Sequence, residues 1–317
     1  VMHGTRFGVD SHGVRLVPHY IKVLETGRLN KNPSIQFKSS KPSSGLLDGD
    51  HSQGALPTYT AMDYAIEMAK KTGIAAVGVT NSSHFGPAGA YTLYAAKKNM
   101  IALAFCNSDS FVRLYDGAER FHGTNPISMA VPTGGSNPWL FDMATSSVPF
   151  NRVELYRSLN QKLPSDVASD VSGNSTEDPH IAEMLDPLGA KFGFKGAGLG
   201  GVSEILSAVL TGMKLSPELL PMSGPDMTTP RELGAFVMAI DPEGFIGSFL
   251  FKEGMEKYLN LMRKSKAKEN AYVMAPGDRE WKIAHDRDKH GVVLDPVTSK
   301  QFKLLADRFE ISSKYDL

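Results

Sequence analysis

Apolar positions along the chain alternate between helical and extended spacing, and the alternation predicts helices and strands in succession. Tyr20, Ile21 and Leu24 share one side of a helix that Pro18 opens and Gly27 ends. Met62, Ile66 and Ala69 mark one face of a helix over 58–71, closed by Gly73. Residues 74–79 are a short apolar, branched run with no helical period, the pattern of a buried strand. A polar loop over 80–87 follows; Pro87 opens a helix through Leu93 and Ala96, and 100–106 is the next strand. Further strands are predicted over 127–131 and 139–141, and a helix over 152–159. The stretch 165–179, rich in Ser, Asp and Asn, reads as surface loop, and 39–44 as a short linker. Leu199, Val202, Leu206 and Leu210 stand at core spacing in a helix over 199–213. Residues 235–240 form a strand, 248–263 a helix, 272–275 extended chain, and 280–285 and 296–309 two closing helices. Strand–helix alternation across the middle predicts an α/β sheet.

Composition narrows the function classes. The 317 residues suit about two domains, enough to bury a core without a disulfide or metal staple. Lys+Arg and Asp+Glu both number 34, so the chain lacks the basic excess that displaces counterions from nucleic acid. The single Cys106 excludes an intramolecular disulfide and a Cys-rich zinc site. The longest apolar runs, such as 235–240, fall far short of the roughly 20 residues of a spanning helix. No signal-like segment opens the chain. The expectation is a cytoplasmic globular protein without nucleic-acid or membrane partners. The 30 Gly and 19 Pro fit a loop-rich enzyme. The dense polar motif within about ten residues of Val1 reads as a start that lacks its preceding elements.

Gly196, Gly198 and Gly201 satisfy G-x-G-x-x-G, with Glu218 about 20 residues further on. A Rossmann fingerprint needs an apolar strand leading into the first glycine, and residues 189–195 are not one. Two readings of this segment stand. Lys195 and the exposed amides of a helix-opening loop favour an anion, or the glycines let a helix pack closely.

Other polar clusters could carry chemistry. Residues 10–15 bring Asp10, Ser11, His12 and Arg15 together: arginine clamps carboxylates and imidazole titrates near neutral pH. The same residues also suit a helix cap with an exposed His and Arg. Residues 81–87 place His84 between a buried strand and a helix, where open α/β sheets bind ligands; it is a candidate acid–base or a loop cap. Asn107, Ser108 and Asp109 follow the next strand in the same way and equally suit an Asx turn. Residues 123–126, 141–145 and 276–279 are polar punctuation beside predicted strands and turns. The nine histidines are scattered without a ligand-spaced pair, so no metal site is expected. No G-x-S-x-G elbow or P-loop is present.

Taken in order, Asp-Ser-His-Gly-Val-Arg (10–15), Asn-Ser-Ser-His-Phe-Gly (81–86), Gly-Thr-Asn-Pro (123–126), Phe-Asp-Met-Ala-Thr (141–145), Lys-Gly-Ala-Gly-Leu (195–199), Ile-Asp-Pro (240–242) and Pro-Gly-Asp-Arg (276–279) resemble the malate/L-lactate dehydrogenase family. The resemblance spans essentially the whole chain. It implies an α/β, non-Rossmann nicotinamide-binding fold: a central mixed-sheet cofactor domain, 74–264, and a second domain from both chain ends, 1–73 with 265–317. It implies a homodimer that moves hydride between NAD, or NADP, and a small 2-hydroxy or 2-oxo acid, malate or lactate first. Ureidoglycolate, sulfolactate, diketogulonate and cyclic imino acids are the alternative substrates, and a non-catalytic dinucleotide-binding protein is the alternative class.

By the same resemblance His84 or His12 exchanges the proton, and Ser11 and Arg15 hold the substrate. Ser108, Asp142, Met143, Ala144, Lys195, Gly277, Asp278 and Arg279 hold the dinucleotide. The chain departs from the family pattern in several places, among them a longer loop before the lysine–glycine pair and no predicted helices ahead of the first motif. Leu16 stands where many members carry arginine, and Ala197 where an aromatic commonly follows the lysine–glycine pair.

Overall fold

The computed structural model describes residues 1–135 and 137–311. Residues 312–317, the end of the expected terminal domain, lie outside the described residues. The strands are β1 (Gln36–Lys41), β2 (Ser44–Asp48), β3 (Ile74–Ser82), β4 (Ile101–Cys106), β5 (Val112–Arg113) and β6 (Arg120–His122). They continue with β7 (Ile127–Val131), β8 (Trp139–Met143), β9 (Ala168–Ser169), β10 (Met184–Leu185) and β11 (Leu233–Ile240). The α-helices are α1 (Met2–Arg6), α2 (Val17–Glu25), α3 (Ala55–Thr72), α4 (Gly89–Ala96), α5 (Phe150–Ser158), α6 (Phe194–Glu204), α7 (Ser248–Arg263), α8 (Asp278–His290) and α9 (Pro296–Arg308).

A seven-stranded mixed sheet, ordered β1-β2-β3-β11-β4-β7-β8, forms the centre. Only the β2–β3 pair is parallel in it. A small sheet, β6-β5-β10-β9, stands beside it. The fold is thus α/β with a central mixed sheet, as the resemblance implies. The hairpin β1–β2 and helix α3 precede the domain boundary expected at residue 73. They lie in the same sheet and core as β3 and β11.

Small side chains set the layer spacing. Met62, Ala65, Ile66 and Ala69 of α3 and Tyr91 and Ala95 of α4 pack against Val77, Val79, Ala102, Ala104, Val237 and Ala239 of the sheet. Side chains alternate across a strand, so Gly78 faces the opposite side, where Thr211 Cγ2 lies 2.9 Å from the position of an added Cβ. On that side α6 runs into a π-helical turn over Ile205–Val209, and a Cβ on Gly234 would fall 1.6 Å from the Ser207 carbonyl.

That close approach overturns the core expected of residues 199–213. Leu199, Val202, Ile205, Val209 and Leu210 are 39 to 60 % exposed, whereas Gly196, Gly200, Ser203, Glu204, Ser207 and Ala208 are buried. The backbone sits too near the sheet for large side chains, so small and hydrogen-bonded residues occupy the inner face. Ser203 Oγ donates to the Cys106 carbonyl at 3.0 Å, and Glu204 accepts from Asn125 Nδ2 at 2.7 Å and Ser216 Oγ at 2.6 Å. The glycine-rich segment is the helix itself and not a loop leading into it.

Other boundaries shift for local reasons. Residues 39–44 are the end of β1 and its hairpin turn, not a linker. The polar stretch 165–179 carries the short buried strand β9, and 272–275 runs without a strand. The predicted 280–285 helix is α8, capped by Gly277 in a left-handed conformation and by Gly291. Among the described residues no helix is long and apolar enough to cross a membrane.

Candidate active site

β3 ends at Ser82 and α4 begins at Gly89, so the loop between them presents His84 at a strand–helix junction. Gly54 lets the start of α3 lie against this loop: a Cβ there would stand 2.1 Å from the Ser83 carbonyl. Gln53 Nε2 donates to the His84 carbonyl at 3.1 Å, and its Oε1 accepts the Ala55 amide at 2.8 Å.

The first polar motif folds as two short 3-10 turns, Asp10–His12 and Val14–Leu16, which lead into α2. The first turn lays the His12 ring on that of His84, with centroids 5.4 Å apart and planes 26° from parallel. Ser11 Oγ lies 2.9 Å from His12 Nδ1. From α2, the Tyr20 hydroxyl reaches His84 Nδ1 at 2.6 Å. Burial pushes both imidazoles below their ordinary range; for His84 the charges of His12, Arg231 and His19 push the same way. Both rings are therefore neutral at neutral pH, and a neutral imidazole keeps a lone pair that can take a proton.

Two residues the sequence reading did not name for the site, Arg231 and Tyr20, act on His84. Arg231, just before β11, is buried; its Nε donates to the Leu220 carbonyl at 2.7 Å and its Nη2 to Asp109. Asp109 also accepts the Met222 amide at 3.1 Å. Asp109 lies in the 107–109 cluster, which equally suited an Asx turn. Arg231 has no local motif, and only folding brings it near residue 84. Tyr20 was legible as an inward helix position and not as a partner of His84.

Ser11, the partner of His12, also lines a cavity of about 630 Å³ whose wall includes neither imidazole. Its wall includes Ser11, Asp142, Met143, Gly277 and Arg279, with Arg152, Phe7, Val9 and Leu155. Ser11 is thus shared between the cavity and the imidazole pair. Asp142 Oδ2 accepts the Gly89 amide at 2.8 Å, which ties β8 to the helix that follows His84. Its carboxyl stands open to the cavity yet deep among protein atoms. That desolvation pushes it up to about 7, against the opposing Gly89 hydrogen bond. Gly277 has φ 95°, and a Cβ there would come 3.0 Å from the Leu140 amide nitrogen, so the turn approaches β8 closely only as glycine.

The structure does not gather the remaining sequence candidates on this wall. Asp278 turns its carboxylate to Arg263, at 3.0 and 2.7 Å, and to the Ala275 amide at 2.9 Å. Ser108 Oγ accepts the Thr124 amide at 3.1 Å, and Ala144 follows Met143 just off the wall. Lys195 is exposed in the first turn of α6, its Nζ 5.3 Å from the Phe192 ring centre. Arg15 is exposed and lines a separate cavity of about 260 Å³ with Val14, Asp295 and Thr298, because the second 3-10 turn carries it away from His84. Among the described residues no group of three or more His, Cys, Asp or Glu could hold a metal ion.

A mixed sheet with a buried, uncharged imidazole pair, joined through Ser11 to a cleft of small-molecule size, is the layout of an α/β protein with a small-molecule site. Residues 1–303 match the sequence profile of the family described as malate/L-lactate dehydrogenase. The chain is 38% identical over 295 residues to the malate dehydrogenase of Pyrococcus abyssi, covering 90% of this chain and 80% of that protein. It is 32% identical over 270 residues to the ureidoglycolate dehydrogenase (NAD(+)) of Escherichia coli, covering 85% and 74%. The solved structure of sulfolactate dehydrogenase from Methanocaldococcus jannaschii superposes with a TM-score of 0.90 at 29% identity, covering 98% of this chain and 88% of that one. The chain belongs to the malate/L-lactate dehydrogenase family and is an oxidoreductase of the dehydrogenase class.

Membership implies a nicotinamide cofactor, and the cavity fits one. Its volume falls within the roughly 300–1,000 Å³ of small-molecule sites. Its wall combines apolar surface from Phe7, Val9 and Leu155 with the cations Arg152 and Arg279 and the glycine turn at 277.

Proposed function

We propose that the protein moves a hydride between NAD, with NADP as the alternative, and a small 2-hydroxy or 2-oxo acid, with malate or lactate the first candidates. The observation that carries this reading is the neutral His84 ring, bonded to Tyr20 and stacked on His12, whose partner Ser11 lines the cavity. The names of the relatives converge on a carboxylate with a hydroxyl on the next carbon.

In the oxidative direction His84 takes the hydroxyl proton; in reduction it returns it. Bound nicotinamide supplies the two-electron acceptor or donor. His12 limits the charge that His84 can hold, and Ser11 links that ring to the cavity wall. Arg15 faces the other cavity, so the substrate carboxylate draws its counter-charge from Arg231, the arginine whose charge acts on His84. Asp142, Met143, Gly277 and Arg279 hold the dinucleotide; Ser108, Ala144, Lys195 and Asp278 act outside this wall. The exposed apolar side of α6, with Leu199, Val202 and Ile205, supports a homodimer, which sedimentation would register as a doubled mass.

The deciding experiment follows loss of reduced-nicotinamide absorbance with NADH and NADPH separately. The substrates are oxaloacetate, pyruvate, a sulfonated 2-oxo acid and a cyclic imino acid. Fast oxidation with one 2-oxo acid is the expected result and fixes cofactor and substrate together. Rapid turnover of the cyclic imine alone, or tight cofactor binding with no turnover, overturns the proposal.

A further inference from the structure

We propose that Tyr20 is the positioning residue of the proton exchange: its hydroxyl occupies Nδ1 of His84 and leaves Nε2 as the nitrogen that meets the substrate hydroxyl. The inference rests on the reading of His84 given above and assigns which ring nitrogen reacts and what holds it there.

The geometry is over-determined. Tyr20 comes from α2 and His84 from the β3–α4 loop, yet the two meet at 2.6 Å. Gln53 braces the loop that carries His84. Its Oε1 is taken by the Ala55 amide, so the amide nitrogen is free to donate to the His84 carbonyl. Burial raises the phenol far above its ordinary range, so Tyr20 stays protonated. Its oxygen can then accept from Nδ1–H in both ring states, neutral and charged, which leaves the Nε2 lone pair of the neutral ring free to take the hydroxyl proton.

The second of these states needs help. The groups facing His84 are the His12 ring from the first 3-10 turn, His19 from α2, Arg231 before β11 and, most weakly, the Val1 amine. All of them oppose a positive ring. Asp109 is engaged with Arg231, and among the described residues no carboxylate bonds to the His84 ring. A carboxylate there would hold the proton firmly. A phenol oxygen stabilises the charged ring more weakly and lets the proton return, as a reversible reaction requires.

The test is Tyr20→Phe, which keeps the ring and removes the hydroxyl. Loss of one hydrogen bond to a charged group is an effect of about tenfold. The expected result is a drop of about tenfold in kcat for hydroxy-acid oxidation, an acid limb of kcat/KM about one pH unit lower, and an unchanged KM for the nicotinamide. An unchanged limb overturns the proposal, even if kcat falls, because a purely structural role would lower activity without moving it.

A second readout needs no turnover. Nitrogen-15 spectra of the His84 ring in the resting protein report an Nδ1 hydrogen bond and one dominant tautomer, and the variant loses both. An unchanged ring spectrum overturns this inference alone and leaves the hydride-transfer reading intact. A dead substrate panel with the expected spectra does the reverse. If Tyr20→Phe does not fold, 3-fluorotyrosine at position 20 preserves shape while weakening the phenol oxygen as an acceptor. The Nδ1 resonance must then shift, and a fixed resonance overturns the assignment.

Discussion

The Asp142 carboxylate accepts the backbone proton of Gly89 at 2.8 Å. One bond thereby joins the floor of the large cavity to the first turn of the helix that follows His84. That bond ties the cavity wall to the loop carrying His84, the kind of preorganisation that the proposed hydride transfer would need. Gly89 is part of the device, since a Cβ there would lie 2.7 Å from the same oxygen.

Replacing His84 by Asn should lower turnover by about 10²–10⁴-fold while NADH still binds, because general acid–base catalysis contributes that much. His12→Asn acts differently. It removes a neighbour that disfavours the charged form of His84, so the acid limb of the pH–rate profile should move to higher pH. Stopped-flow turnover and fluorescence titration of NADH check both variants. Parent-like rates in His84→Asn would refute the proton assignment.

Acidification should destabilise the fold in a defined window. His3, His12, His19, His84 and His122 are all pushed below their ordinary range, chiefly by burial. The unfolded chain then binds protons that the native state refuses. Stability is therefore full above the unfolded value of about 6.5 and falls as pH drops below it. His3, lowered to about 4, should contribute on the order of 3 kcal/mol of this loss by the time the pH reaches its folded value. Urea melts between pH 7 and 5 measure the slope, and a flat or opposite slope would contradict the neutral burial of these rings.

Two glycines should respond in opposite directions. Gly54→Ala forces a methyl against the Ser83 and His84 backbone, and overpacking of this kind costs about 1–3 kcal/mol; activity should fall with stability. Gly198 is exposed inside α6 with nothing within 4 Å of an added Cβ, so Gly198→Ala should raise stability by about 0.5–1 kcal/mol. Thermal melts and NADH affinity decide the point. A loss of NADH binding in Gly198→Ala would restore the glycine-rich stretch as a phosphate cradle.

Arg231 and Asp109 form a buried pair, and removing one member strands the other charge, at a cost of about 3–5 kcal/mol. Arg231→Met should therefore lower the melting temperature more than Arg15→Met, whose side chain is exposed. It should also raise the KM for the acid while the KM for NADH stays near the parent value. Equal effects of the two substitutions on the acid KM would return the carboxylate to Arg15.

Much of the sheet was readable because its inner strands are continuous apolar runs between turn signals, as in 74–79, 100–106 and 235–240. Hydrophobic periodicity failed where packing distance mattered. Residues 199–213 carry a convincing apolar stripe, but the sheet accepts only their glycine, serine and alanine side because Gly234 and Ser207 nearly touch. A period shows that a helix has two faces. It does not show which one the neighbouring backbone has room for.

The sequence by itself determined the family, through seven short motifs in a fixed order, and singled out the two histidines by their place before and after predicted elements. The tertiary structure alone decided that His12 stacks on His84, that Tyr20 bonds to Nδ1, that Arg231 and Asp109 stand nearby, and that Arg15 and Lys195 point elsewhere. Local sequence encodes backbone preferences over a few residues. The field at a buried imidazole depends on which distant side chains the folded layers bring within a few ångströms.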